Sequence, residues 1–285
     1  MQFGEIGFSQ VGEAAQPSPS IWSDCPGETL NSNAEGFYFD VQFMGPPTGI
    51  LAAALDVNMV SFGNALKLDA DTDTVLAMVA DAQGGALSIE TDGDDNDAAA
   101  LFSQPFGKIT KNSGQRLWFE AIVAAGDVDA DMGIFVGIVE ADAVDGTTTT
   151  ARDVLSNDVA SNSLVDESLI GFVQDNGDDN AFDAVYKKDA GTLVNVLNDV
   201  TNATAIPLAS RAALTDGAFF KLGLRFDGRD KLTFYANGYE VAVQTVDTTI
   251  DQAKDYCAVV AVKTGAGAAE QVHVRRVRFA SKVRG

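Results

Sequence analysis

The stretch Phe219–Val243, FFKLGLRFDGRDKLTFYANGYEVAV, leaves this chain little choice of fold. Phe220, Leu222, Leu224 and Phe226 share one parity, with Lys221 and Arg225 on the other, which is the period-two pattern of a half-buried strand. Asp227-Gly228 opens a short polar loop, and Leu232, Phe234 and Ala236 resume the apolar parity. Asn237-Gly238 marks a two-residue hairpin, because both central residues of a type I′ turn need positive φ. Such a turn pairs Ala236 with Tyr239 and places Tyr239, Val241 and Val243 on the face of Leu232 and Phe234. The result is three antiparallel strands with one buried face and one wet face. Phe220, Leu224, Phe226, Leu232, Phe234 and Val241 are the expected core.

Other short apolar runs predict strands over 37–43, 75–80, 86–90, 98–102, 115–124, 169–174, 182–187, 193–200, 256–263 and 271–279. The run 134–140 is apolar on both parities, so it is expected in the middle of a sheet and covered on both faces. Residues 142–166 predict a long irregular excursion with one helical turn near Leu155. Many short strands, close turn signals and little helical periodicity point to an all-β antiparallel sandwich. Gln16-Pro17-Ser18-Pro19-Ser20 favours extended, poorly packed backbone. Residues 1–34 therefore read as an irregular N-terminal arm anchored by Ile21-Trp22, and 35–285 as a single β-sandwich domain.

The formal net charge is −22. That excludes a phosphate backbone as the main partner, since binding it needs a basic footprint, so no nucleic acid is expected. The first residues carry no basic and apolar leader pattern, so no secretion signal is expected. No run is long enough to cross a membrane as a helix, and no membrane partner is expected. Cys25 and Cys257 read either as two buried thiols of a reducing compartment or as a bridge tying the arm to the sandwich.

Phe226-Asp227-Gly228, then Lys231-Leu232-Thr233-Phe234-Tyr235, then Asn237-Gly238 with Glu240-Val241 resemble the closing hairpins of concanavalin-A-like lectin/glucanase sandwiches. Leu117-Trp118-Phe119-Glu120-Ala121, and Ile170-Gly171-Phe172 with the acidic turn after it, are similar to the same set in structural proteins of tailed bacteriophages. The resemblance runs from about Gly85 to Phe279. It implies a jelly-roll sandwich and a non-enzymatic virion protein, a capsid decoration or cement protein. Such a protein would be made in the host cytoplasm and sit on the capsid surface. Its partners would be the major capsid protein and sister subunits, in a closed homo-oligomer such as a trimer. The alternative is a glycan-binding adhesin module of a phage tail or cell surface. One sandwich hosts lectins, hydrolases and inert modules, so the residues have to decide.

Lectins of this fold often use calcium. The acidic candidates are Asp69/Asp71/Asp73, the loop 92–97, Asp127/Asp129/Asp131 and the loop 175–180. Counted as EF-hand loops, the Asp92 series puts Asp97 and Ser103, and the Asp127 series Met132 and Ile138, where Gly and Glu are required. Solvated acidic loops with no metal and no cofactor are the expectation, with a site assembled from two loops left open. Laminarinase-like members carry Glu-x-Asp-x-x-Glu on one strand. Here Glu140-Ala141-Asp142-Ala143-Val144-Asp145 ends in the shorter acid, which works against carboxyls held about 5–5.5 Å apart. Tryptophans usually surround that motif, and here they are Trp22 and Trp118 alone. His273 sits among arginines with no nucleophile elbow, so no catalytic residue is expected. Tyr235, Tyr186 and Trp118 are the candidate sugar-stacking aromatics.

Assembly is expected at two places. Phe3, Phe8, Ile21 and Trp22 of the arm are anchors for a neighbour's groove or for the outside of the chain's own sandwich. Arg275, Arg276 and Arg278 begin a basic end, with Lys282 and Arg284, that would face an acidic surface or simply solvate a sheet edge.

Overall fold

A computed structural model of the chain describes residues 17–27, 30, 35–43, 59–62, 65–71, 73–79, 85–94, 96–126, 128, 132–144, 151–155, 164–174, 181–208, 211, 214–265 and 268–283. After one helical turn, α1 (Pro19–Trp22), the strands are β1 (Gly36–Gln42), β2 (Met59–Phe62), β3 (Leu66–Ala70), β4 (Val75–Met78), β5 (Leu87–Glu90), β6 (Ala98–Ser103), β7 (Gly107–Lys108), β8 (Arg116–Ala125) and β9 (Met132–Glu140). They continue as β10 (Leu169–Gln174), β11 (Asp183–Lys187), β12 (Val194–Leu197), β13 (Phe220–Phe226), β14 (Lys231–Ala236), β15 (Tyr239–Thr245), β16 (Asp255–Thr264) and β17 (Gln271–Lys282). One sheet runs β15-β14-β13-β8-β17-β5-β4, with β1 also paired to β17; the other runs β12-β11-β10-β9-β16-β6-β3-β2, with β7 also paired to β16. The pairings are antiparallel, as expected for an all-β jelly-roll sandwich.

The alternating residues build the layer between the sheets. Leu117, Phe119, Ala121 and Val123 of β8 meet Phe220, Leu222, Leu224 and Phe226 of β13 and the β14 residues Leu232 and Phe234. From the other sheet come Ile134, Val136 and Ile138 of β9 and Ala258, Val260 and Val262 of β16. Phe172 and Phe234 close this core edge to face, with ring centroids 5.8 Å apart, a favoured aromatic arrangement.

The hairpins form where the sequence puts them. Ala236 pairs with Tyr239, and the turn residues Asn237 and Gly238 take φ +50° and +82°. The register of β15 departs from expectation. A bulge sets Tyr235 opposite Glu240 and Phe234 opposite Ala242, so Val241 is the extra residue. Beyond it the parity flips. Val241 is only partly buried against the core, while Val243 falls opposite Thr233 and is 46% exposed.

β9 is buried along its whole length, as its two-sided apolar pattern requires. Its outward residues Phe135 and Val139 join Ala100, Phe102, Val173, Val185, Val259 and Ala261 in a second apolar cluster. The excursion after β9 covers that cluster with Ala143, Val154, Leu155 and Leu164. A helical turn at Ala151–Val154 precedes Leu155. The cover is pinned by buried or half-buried cations. Lys263 donates to the Leu155 carbonyl at 3.2 Å, Lys187 to the Val165 carbonyl at 3.0 Å, and Arg152 bridges to Asp71 at 2.7 Å.

Candidate functional site

The alternation in β13 and β14 predicts a wet outer face on the sheet they share with β8 and β17. That face is instead closed by residues 17–27 and Leu30. Ile21 and Leu30 pack on Trp118, Tyr235 and Ala280. Close approach needs Gly223 on β13, where a Cβ would lie 2.4 Å from Ile21 Cδ1 and 3.0 Å from the Phe119 carbonyl oxygen.

Polar contacts fix this segment as firmly as the apolar ones. Glu120, at the middle of β8 and 2% exposed, accepts from the Ser18 backbone N–H at 3.3 Å, from Trp22 Nε1 at 3.0 Å and from Arg278 Nη1 at 3.0 Å. Asp24 accepts from Trp118 Nε1 at 3.1 Å and pairs with Arg116 at 2.9 Å and Arg225 at 2.5 Å. Asp40 of β1 holds Arg276 at 2.5 Å and Arg278 at 3.0 Å. Burial opposes the Asp40 charge, but the hydrogen bonds from Arg276 and the Arg278 charge keep its carboxyl below the ordinary range. A buried charge is tolerated only when paired and hydrogen-bonded in this way.

Between this segment and the sheet lies a cavity of about 280 Å³, lined mainly by Pro17, Pro19, Trp22, Cys25, Tyr38 and Arg278. Trp22 and Tyr38 meet edge to face with centroids 6.0 Å apart, and the Arg278 guanidinium lies 5.3 Å from the Trp22 ring centre. The polar tips are engaged by Glu120 and Asp40, so the cavity presents mostly ring and proline surface.

A second cluster forms at the rim where β9 ends. Glu140, Glu167 and Asp189 each bring a carboxylate oxygen within 4.8 Å of the others. Lys254 bridges Glu140 at 3.0 Å and Asp142 at 2.9 Å, and these carboxylates hold its pKa above the ordinary range. The Glu140 carboxyl beside Glu167, together with burial, pushes Glu167 up to about 7. Asp92, Asp94 and Asp97 also converge, on an exposed turn. There burial and the hydrogen-bonded Asp92 push Asp97 up to about 7.

Two stacked antiparallel sheets, closed by the β13–β15 hairpins, decide the architecture. The fold is an antiparallel jelly-roll β-sandwich of two sheets. Among solved structures the chain is similar to a protein of unknown function from Shewanella oneidensis MR-1, at 12% identity over 90% of this chain and 94% of that one, with a TM-score of 0.53. It is also similar to peanut lectin, at 13% identity, 86% and 97% coverage and a TM-score of 0.48. A third likeness is to SCLam, a non-specific endo-β-1,3(4)-glucanase from family GH16, at 14% identity, 70% and 72% coverage and a TM-score of 0.45. No family model matches the chain, and no curated protein matches it in sequence. Identities this low speak to fold alone. A β-sandwich of this kind hosts many unrelated functions, so the fold assigns no role.

The sandwich places the sequence candidates differently from expectation. Trp118, Tyr235 and Tyr186 are 0%, 3% and 5% exposed, so none presents a ring to a sugar. The glucanase-like motif does not lie on one strand: β9 ends at Glu140, and Ala141–Val144 is a 3₁₀ turn. The Glu140 side chain is fully buried, and Asp145 lies outside the described residues. His273 is half-buried, and burial pulls its pKa down. Cys25 and Cys257 are free thiols, pushed up by burial to about 11 and about 12.

Ile21 and Trp22 dock on the chain's own sheet. The basic end does not face outward as a unit. Arg278 and Arg276 find Glu120 and Asp40 within the chain, and Arg275, 4% exposed, stacks 3.9 Å over the Phe219 ring. Phe3, Phe8, Arg284 and the loop 175–180 lie outside the described residues. The Glu120–Arg278 socket and the Glu140–Glu167–Asp189 cluster escaped sequence reading, because their members are far apart in the chain. One signal was present: Trp118, Ile122 and Ala124, on the parity of β8 opposite Leu117, Phe119 and Val123, imply burial on both sides.

Proposed function

We propose that this chain is a non-enzymatic structural protein of a tailed-bacteriophage virion, a decoration or cement protein on the outer capsid surface. Its partners are the major capsid protein and sister copies in a closed oligomer. The observation that carries the reading is that the chain's own segments cover part of each outer sheet face. Residues 17–27 pack over Trp118, Tyr235 and Ala280 on one face, and Ala143, Val154, Leu155 and Leu164 cover the apolar cluster on the other. Among the described residues, the covered parts of these faces present no open cleft. The one carboxylate placed like a glucanase acid, Glu140, is buried and paired with Lys254. Weak contacts at the rims suffice for a cement protein, since many symmetric copies multiply a modest affinity. The phage assignment rests on the resemblance of 117–121, 170–172 and the 219–243 hairpins to phage structural proteins.

One observation favours the second reading, a glycan-binding adhesin module. The cavity beside Trp22 and Tyr38 offers aromatic surface next to an arginine. Co-sedimentation separates the two. The purified protein is mixed with empty tailed-phage capsids lacking it and, separately, with host polysaccharide. Saturable binding to capsids supports decoration. Binding to polysaccharide alone would replace it with the adhesin reading.

A further inference from the structure

We propose that Glu140, Glu167 and Asp189 form a seat for one hard divalent cation, calcium by ligand type, at the rim of the sandwich. The inference is independent of the capsid reading.

Three separate segments meet there. β9 ends at Glu140, the turn before β10 carries Glu167, and the turn after β11 carries Asp189. Ser168 ties them together, its carbonyl accepting from the Glu140 N–H at 2.8 Å and its Oγ from the Asp189 N–H at 3.1 Å. One carboxylate oxygen from each acid lies within 4.8 Å of the other two. Oxygens about 2.3–2.6 Å from one calcium ion lie at most about twice that distance apart, so the three fit one coordination sphere.

A second observation, separate from this convergence, is a buried carboxylate oxygen that faces no donor. The Glu140 side chain is fully buried. Lys254 takes its Oε1 at 3.0 Å, but Oε2 has no hydrogen-bond partner. A buried carboxylate oxygen left unmatched is costly. Asp142 adds a further negative charge and shares Lys254 at 2.9 Å. A bound cation would supply Oε2 with a partner, and the more exposed Glu167 and Asp189 would complete the seat from the solvent side. Because Lys254 already neutralises part of the charge, the cation is not a folding requirement. The expected affinity is that of modest extracellular-type sites, a Kd of about 0.1–1 mM.

The test is calcium titration of the full, chelator-treated chain by calorimetry and by thermal melting. The wild type is expected to take up one ion, with a melting temperature that climbs as calcium is added. Asp189→Asn, at an exposed position where folding is not at stake, is expected to weaken uptake at least about tenfold by removing a charged ligand. Glu167→Gln is expected to do the same. Lys254→Gln, which removes the competing ammonium, is expected to tighten it. Asp94→Asn, in the other acidic cluster, is expected to leave it unchanged. Absence of uptake at about ten times that Kd, or uptake lost in Asp94→Asn and kept in Asp189→Asn, would overturn the proposal.

Discussion

Arg278 Nη1 lies 3.0 Å from Glu120, and both side chains are 2% exposed. The pair sits outside the main core, on a sheet face that the N-terminal segment seals. Glu120 receives Ser18 and Trp22 of that segment, and Arg278 continues to Asp40. One buried carboxylate therefore ties three stretches far apart in sequence.

Glu120→Gln is expected to cost about 3–5 kcal/mol, because it leaves a buried guanidinium short of a counter-charge. Urea unfolding measures it. Glu120→Gln combined with Arg278→Met is expected to recover part of the loss, since the charge that was stranded is gone.

Ile21→Ala is expected to cost about 2–5 kcal/mol through the lost packing on Trp118 and Tyr235 and the void left above Gly223. Deletion of 2–27 is expected to lower the melting temperature, and Ile21→Ala alone to account for part of that loss. An Ile21→Ala variant as stable as the wild type would show that the seal over this sheet is not made by 17–27.

Phe234→Ala, in the main core, is expected to cost about 3–5 kcal/mol by truncation plus cavity. Phe234 is fully buried and packs edge to face on Phe172. Val243→Ala, beyond the bulge and 46% exposed, is expected to change stability by less than about 0.5 kcal/mol. A strand without the bulge would turn Val243 inward beside Val241, and its truncation would then cost clearly more than that.

These hairpins were legible because strand, turn and partner strand follow one another within a few residues. The bulge was not, since nothing in Glu240-Val241 marks it. The sealed faces were hidden for another reason. Arg225 and Glu120 carry polar tips and so read as wet, yet their partners come from Asp24, Ser18 and Trp22 near the start of the chain. Polar patterning reports what a face tolerates, not whether a distant segment will cover it. The three rim acids are hidden for the same reason, since Glu140 ends a strand and Glu167 and Asp189 lie in two later turns.

The pH dependence follows from Asp40. Its folded carboxyl is held below the unfolded value, so the stability it adds is present above about pH 4 and is lost as pH falls through the folded pKa. Wild type and Asp40→Asn are therefore expected to differ in urea midpoint at pH 7 and to converge toward pH 2. A difference that persists unchanged at low pH would mean that packing, not charge, accounts for the role of Asp40.

The most direct measurement of the functional account is where the chain sits on the particle. Immunogold electron microscopy of intact virions, with antibody against the purified protein, reads this out. The account predicts gold distributed over the outer surface of the head at many sites per particle. Gold confined to the tail tip, or particles that carry none of the protein, would contradict it.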